Sequence, residues 1–490
     1  MALTVNLRKM LHRKSAEYCA PSPAGNTTAG AFIVSDKTSA MPGNDGIVYF
    51  GGASAVWQYN ADEDAWMQAP NSGIAGTFGA GACGALHAVF APAGSDRSTA
   101  TAGTTTTLTT SLTLARDLGG YPVRVISGTG MGYQGLIVRN TLGANGVLTL
   151  NPASAVAFDN TTVFQMLTGS VWVFNPGAGA VGFSCYDRAT NAWTARSVTG
   201  LPTTFGTDGK LVATGGATSG PGWQGFVNST ATAGAATTLT DSAKTWPVNG
   251  WANSQVRIVS GTGAGQFRSI TSNTDNVLTV SAAWTVNPDA TSVYRIEGNG
   301  SYIYLLGGNA VTMYRYDRSA NTWSTLAPTT ARGGNAGAGF TANWIDGIDD
   351  EDWTNETYTT HYGTMVRQAG RYIYSLRGGA TSTLDVYDLA GNKWINDLPY
   401  AMKQETFTTG SSAVDLGGYI YIQKDATGRI YRFDIAKNVL KPFVQSPVPQ
   451  GTALVGDKIF MTTYVEGATR VNYLYAMGST RSELTRWLVI

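Results

Sequence analysis

Apolar and polar positions recur along the chain in one order. An apolar strand, often ending in Gly-Gly, is followed by an aromatic residue with Asp or Asn after it. A Trp stands seven residues beyond the aromatic. The first copy is IVYFGG (Ile47–Gly52) with Tyr59, Asn60 and Trp66. The second is VWVFN (Val171–Asn175) with Tyr186, Asp187 and Trp193. The third is YIYLLGG (Tyr302–Gly308) with Tyr316, Asp317 and Trp323. The fourth is YIYSLRGG (Tyr372–Gly379) with Tyr387, Asp388 and Trp394. In the fifth, YIYIQKD precedes Phe433 and Asp434, and Leu440 replaces Trp. The sixth, KIFMTTYVEG (Lys458–Gly467) and the terminal LTRWLVI, is degenerate.

Strands such as YIYLL are apolar on both faces, as expected between two packed sheets. Gly-Gly supplies tight-turn backbone angles without steric cost. The Asp or Asn opens a polar turn before the Trp strand. Further apolar runs complete a four-strand unit: AFIVSD from Ala31, Gly79–Phe90, Gly209–Gly216 and Ser411–Gly418. Nothing after Ile490 remains to pair with the first unit, so the pattern does not show how a ring would close.

Two long excursions interrupt the second and third units between their first and second strands. They are copies of each other. STATAG (Ser98–Gly103) matches STATAG (Ser229–Gly234), and VRVISGTGMG (Val123–Gly132) matches VRIVSGTGAG (Val256–Gly265). VLTL (Val147–Leu150) matches VLTV (Val277–Val280), and the offset stays between 130 and 133 residues. Alternating β-branched residues and Gly/Thr/Asn turns predict a small β-barrel or sandwich in each. A shorter excursion, Ile345–Gly370, sits at the same place in the fourth unit. In antiparallel sheets all three leave from one face, which predicts a lopsided crown.

The aromatic–Asp–Trp units resemble kelch repeats. That resemblance implies one four-stranded blade per repeat, arranged radially. The expected fold is all-β, a six-bladed kelch-like β-propeller with two duplicated small β-barrel or sandwich insertion domains. The expected division is 1–26 as a basic arm and linker, 27–97 as the first blade and the start of the second, and 98–170 as the first insertion. Residues 171–222 finish the second blade and start the third, 223–298 form the second insertion, and 299–490 complete the ring. The insertions resemble short β modules of tailed-bacteriophage structural and adsorption proteins, through the S-G-T-G-x-G turn, V-L-T-[LV] and a closing aromatic strand. Propellers with inserted domains resemble the tail-nozzle family.

Composition suits an assembly subunit and also an extracellular β protein. Hydrophobic content is 43%, enough for a sizeable core, while only 13% of residues are charged, against about 25% in ordinary soluble domains. Net charge is +1, which gives no general argument for nucleic acid or membrane. The start, MALTVNLRKMLHRK, has no apolar core of a secretory leader, and no run approaches the ~18 apolar residues of a span. The three cysteines, Cys19, Cys83 and Cys185, form no disulfide framework. Cys83 and Cys185 fall on strands two apart in one sheet, roughly 9–10 Å and out of bonding reach.

Candidate chemistry is sparse. Gly130-Met131-Gly132-Tyr133-Gln134-Gly135 matches G-x-G-x-x-G, but a strand follows where a dinucleotide site needs a helix; a hairpin turn is expected. His12, His87 and His361 are the three histidines; a Ser-His-Asp system needs a His next to a nucleophile, and no G-x-S-x-G elbow is present, so structural or solvated roles are expected for each. Some kelch propellers hold copper through His and Tyr, and two histidines are hard to assemble here. Asp346, Asp349, Asp350, Glu351 and Asp352 are oxygen-rich but lack EF-hand spacing, and read as a solvated loop. Trp223, Trp246, Trp251 and Trp284 could form a sugar platform or simply fill the second insertion's core; core packing is expected. No catalytic, cofactor or metal site is expected.

The N-terminal arm is the sharpest local feature. Leu3, Leu7 and Leu11 fall on one helical face, with Arg8, Lys9, Arg13 and Lys14 beside them. These seven residues are the candidate partner-binding set, for a neighbouring subunit or an acidic or nucleic-acid surface; the alternative is a frayed terminus with no partner. The expected role is a structural virion protein of a tailed phage: a multimeric nozzle, collar or adaptor in the tail or neck, made in the host cytoplasm. Its partners would be other copies of itself and neighbouring virion proteins. The alternative is a receptor- or glycan-binding protein working through the insertion face. Solvent-facing Trp and Tyr on the insertions would favour that alternative.

Overall fold

The computed structural model describes residues 16–21, 32–35, 48–52, 55–61, 63–76, 78, 82–87, 98–166, 168, 170–176, 181–213, 227–246, 248–249, 251–252, 255–297, 302–308, 310–318, 320–334, 336–342, 372–377, 379–389, 391–408, 411–416, 419–424, 427–435, 437–447, 459–466, 469–477 and 483–489. Among these the fold is all-β, without helices, in a propeller-like arrangement.

Four-stranded antiparallel sheets carry the repeats, with strands a to d running outward. The first sheet is Phe32–Ser35, Val48–Gly52, Ala55–Asn60 and Ala65–Gln68. The second is Cys83–His87, Ser170–Asn175, Gly182–Asp187 and Ala192–Ala195. The third is Gly206–Ala213, Tyr302–Gly308, Met313–Asp317 and Thr322–Thr325. The fourth is Ala336–Ala342, Tyr372–Arg377, Leu384–Asp388 and Lys393–Ile395, and the fifth is Ser412–Leu416, Tyr419–Gln423, Arg429–Asp434 and Val439–Gln445. A sixth sheet holds Ile459–Glu466, Thr469–Met477 and Leu484–Val489, and its outer strand is Glu17–Cys19. Each strand a lies beside the next, and that of the sixth sheet lies beside that of the first.

The outer strand of the sixth sheet corrects the reading of 1–26 as arm and linker throughout. Glu17, Tyr18 and Cys19 pair with Arg486, Thr485 and Leu484. Arg486 Nε donates to Glu17 Oε2 at 2.7 Å. The chain start therefore supplies the strand that its end lacks.

The aromatic–Asp–Trp repeat is a packing device. Tyr59, Tyr186, Tyr316 and Tyr387 lie on strand c, each cross-strand from its Trp on strand d. Ring centroids are 4.9, 5.1, 5.2 and 5.2 Å apart. The Asp or Asn after the aromatic accepts amides of the c–d turn: Asp187 from Ala189 at 2.8 Å, Asp317 from Ala320 at 3.0 Å, Asp434 from Lys437 at 3.0 Å.

A further residue completes the device. Five positions after each aromatic stands Asp64, Asn191, Asn321, Asn392 or Asn438, all with φ between 45° and 55°. Asp and Asn tolerate this left-handed backbone better than other side chains. Each of the first four also accepts the tyrosine hydroxyl, at 2.7 Å for Tyr59–Asp64, 2.6 Å for Tyr316–Asn321 and 2.5 Å for Tyr387–Asn392, with Tyr186–Asn191 bonded likewise. The same side chains reach the preceding sheet. Ala20 N donates to Asp64 at 2.7 Å, and Ser197 N donates to Asn321 at 3.2 Å. Three of the indoles do so too: Trp66 to Ala20 O, Trp193 to Pro70 O and Trp323 to Ser197 O. Buried aromatic area and satisfied polar groups thus lock sheet to sheet.

Candidate functional site: the inserted modules and their seat

Both excursions leave strand a and return to strand b of their sheets. The first is a closed barrel. Its strands run, around the wall, Gln134–Asn140, Val147–Asn151, Thr107–Thr110, Ser98–Gly103, Val163–Met166 and Pro122–Ser127. The second keeps this order: Phe267–Asn273, Val277–Val280, Thr238–Thr240, Ala233–Ala235 with Val227–Thr230, Val293–Glu297 and Gln255–Ser260. Its first strand is broken in two between Thr230 and Ala233.

Matched positions do matched work. Leu108 and Leu239, Val123 and Val256, Leu148 and Leu278, and Phe164 and Tyr294 are all fully buried. Where Phe164 becomes Tyr294, the buried hydroxyl needs an acceptor. Asp241, standing where the first module has Thr110, accepts it at 2.7 Å.

The S-G-T-G-x-G segments are hairpin turns between antiparallel strands, as expected. Gly128 and Gly261 have φ of 75° and 76°, and a Cβ there would fall 1.8 and 1.9 Å from the carbonyl oxygens of Thr161 and Thr291. Only glycine fits. The opposing loop holds each turn: Thr162 Oγ1 donates to Thr129 O at 2.8 Å, and Ser292 Oγ to Thr262 O at 2.6 Å. Asp159 accepts the Thr161 amide and hydroxyl and the Thr129 hydroxyl. Asp289 accepts the Thr291 amide and hydroxyl. Threonine hydroxyl bonds, first that of Thr161 and of Thr291, hold both carboxyls below the ordinary carboxylate range.

This sets the sign of an acid response. A depressed folded pKa stabilises above the unfolded value, near 4, and that stability is lost as pH falls through the depressed value. Replacing Asp159 and Asp289 together by Asn should lower the thermal midpoint at pH 6, by less at pH 4 and least at pH 3. A deficit that stays constant across the three would refute the assignment.

The two modules meet through these turns. A Cβ at Gly265 would lie 2.0 Å from Met131 Cγ, and one at Gly132 would lie 3.3 Å from Ala264 Cβ. Arg295 Nη1 donates to Gln134 Oε1 at 3.3 Å across the same boundary. The first module is also fastened to the c–d turn of its own sheet. Ala115 N donates to Ala189 O at 3.0 Å, Arg188 Nη2 to the Tyr121 hydroxyl at 2.8 Å, and Arg116 Nη2 to the Tyr186 hydroxyl at 3.2 Å. Gln58 of the first sheet donates to that same hydroxyl at 3.0 Å. Tyr186 therefore ties two sheets and a module at one oxygen. Beside it, burial pushes the Asp187 carboxyl up to about 6.

Of the residues that the sequence singles out, Trp246, Trp251 and Trp284 are buried in the second module's core, so they offer no sugar platform. His87 lies on strand a of the second sheet, opposite Ser170. Cys83 and Cys185 are buried on strands a and c of that sheet and form no disulfide. Burial pushes the Cys185 thiol up to about 11, and that of Cys19 likewise. Leu3, Leu7, Arg8, Lys9, Leu11, Arg13 and Lys14 lie outside the described residues, as do His12, Trp223, the run Asp346–Asp352 and His361. Among the described residues no group of three or more His, Cys, Asp or Glu is placed to hold a metal ion. No helix there is long and apolar enough to cross a membrane.

No protein-family model matches the chain, and no curated protein matches it in sequence. Among solved structures it is similar to a chain of the mitotic checkpoint complex, at 9% identity and TM-score 0.33, over 97% of this chain and 93% of that one. It is also similar to a mutant of the Aleuria aurantia lectin in complex with alpha-methyl-L-fucoside. There the identity is 10% and the TM-score 0.38, over 94% of this chain and 92% of that one. At these scores neither bears on what this chain does.

Proposed function

We propose that the chain is a non-catalytic structural part of a tailed-bacteriophage particle, in the tail or neck, assembling with copies of itself and with neighbouring virion proteins. Its frame is a six-bladed kelch-like propeller, a reading supported by the cycle of neighbouring inner strands. Its two modules are duplicates, a reading supported by their common strand order and matched cores. The blades act as a rigid spacer, and the crown and N-terminal arm make the contacts that symmetry then multiplies.

The observation that carries this reading is the fastening of the crown. The first module is hydrogen-bonded to its sheet at Ala115–Ala189 and Arg188–Tyr121 and to the second module at Gln134, and Met131 packs against Gly265 of the second module. A spacer must transmit position without flexing, and these links suit that task. A glycan-binding crown is less favoured, because the indoles of Trp246, Trp251 and Trp284 are turned into the core.

The test is the solution mass of the full chain and of a chain lacking residues 1–15. Removing 1–26 would confuse the result, since Glu17–Cys19 completes the sixth sheet. A defined oligomer that dissociates on losing 1–15 supports an assembly part docked by Leu3, Leu7, Leu11 and their basic neighbours. A monomer in both forms rejects self-assembly through the arm.

A further inference from the structure

We propose that a small anion, of the chloride class, binds inside the fourth sheet between the guanidinium of Arg332 and the indole N–H of Trp394. Arg332 precedes strand a of that sheet, and Trp394 lies on strand d. Both are buried, with relative exposures of 5% and 2%. The guanidinium carbon stands 5.2 Å from the indole centroid.

The acceptors around Arg332 are already committed. Its Nε donates to Asp385 Oδ2 at 3.0 Å, and its Nη2 to Ser375 Oγ at 2.8 Å. Asp385 is itself saturated. Oδ2 also takes Arg377 Nε at 2.8 Å, while Oδ1 takes Arg377 Nη2 and the Asp397 amide, each at 2.9 Å. Asn396 Oδ1 is held by the Gly333 amide at 2.7 Å. The Asp397 carboxylate is paired with Lys403 at 2.5 Å. Arg332 Nη1 is left with no acceptor among the described residues.

Trp394 Nε1 is orphaned in the same way, and this breaks the repeat. Trp323 donates its backbone N–H to Thr199 O and its indole to Ser197 O. Trp394 donates its backbone N–H to Thr330 O. By register its indole would bond Pro328 O, and it does not.

Charge selects the ligand. Two guanidiniums, the fully buried Arg332 and the partly exposed Arg377, face the one buried carboxylate of Asp385, so the cluster carries a net positive charge. Buried donors are nearly always satisfied, and a buried excess of positive charge favours an anionic acceptor over a neutral one. With two donors on offer, a monatomic ion is better suited than an oxyanion, whose remaining oxygens would be buried without partners.

Crystals grown in sodium bromide test this directly. Anomalous scattering should place bromide within hydrogen-bonding distance of both Arg332 Nη1 and Trp394 Nε1. Density without anomalous signal at that point, the signature of water, overturns the proposal. In solution, the thermal midpoint should rise with bromide relative to sodium gluconate at equal ionic strength, because a ligand of the folded state stabilises by mass action. Trp394→Phe keeps a smaller aromatic ring and removes the donor, and should abolish that rise. An equal bromide response in both proteins also overturns the proposal.

Discussion

Deleting residues 1–20 is expected to destabilise the propeller-like body by about 3–5 kcal/mol more than deleting 1–15, which spares Glu17–Cys19. The estimate comes from the partners stranded by the larger cut, at about 1–3 kcal/mol for each part-buried group left unpaired. Glu17–Cys19 is the outer strand of the sixth sheet. Ala20 beyond it accepts the Trp66 indole at 3.1 Å and donates to Asp64 at 2.7 Å. Losing 16–20 therefore removes the ladder on Leu484–Arg486, the Glu17 partner of Arg486, and the acceptor and donor that hold the first sheet to the sixth. The half-exposed Glu17–Arg486 pair adds little by itself. Denaturant unfolding of the full chain and both truncations measures the difference. A rescue separates strand pairing from other causes. Because Glu17–Cys19 pairs antiparallel with Leu484–Arg486, residues 16–20 appended after Ile490 through a turn of several residues can complete the same sheet. Recovery of the full-length midpoint is the expected result. Equal stability of the two truncations would reject closure by this strand.

The closing strand also shows where sequence reading stops. The repeats were legible because their signal is local: an aromatic, its Asx neighbour and a Trp at fixed spacing all serve one turn. Glu17–Cys19 carries no such signal, and its partner lies more than 460 residues away. The Asx residue at the fifth position was legible in principle, since Asp64, Asn191, Asn321, Asn392 and Asn438 recur in register. It is easily read as mere turn polarity, and its meaning emerges only when the positive φ and the tyrosine hydroxyl are seen together. The burial of Trp246, Trp251 and Trp284 followed from the need of a small β module for bulk. The meeting of the modules did not. Met131 sits in a glycine-rich turn, where nothing local announces that Gly265 of the other module will lie beneath it.

Replacing Asp385 by Ala is expected to cost about 3–5 kcal/mol, the range for stripping one partner from a buried ion pair. Asp385 is fully buried and holds four donors: two from Arg377, one from Arg332 and the amide of Asp397. Arg377 is partly exposed and can turn towards water, whereas the side chain of Arg332 is fully buried. The cost thus falls mainly on Arg332, whose pKa burial already lowers to about 10. Asp385→Asn keeps the shape and part of the hydrogen bonding but not the charge, so it should fall between Ala and wild type. Arg332→Met combined with Asp385→Leu removes both buried charges together, and should be less harmful than Asp385→Ala alone. Asp385→Asn distinguishes an uncompensated charge from a simple cavity, because it removes the charge without emptying volume, and a cavity alone would leave it close to wild type. Equilibrium unfolding in urea of the three variants supplies the comparison. A loss below about 1 kcal/mol for Asp385→Ala would mean that water reaches Arg332, and that the fourth sheet is not dry at this point.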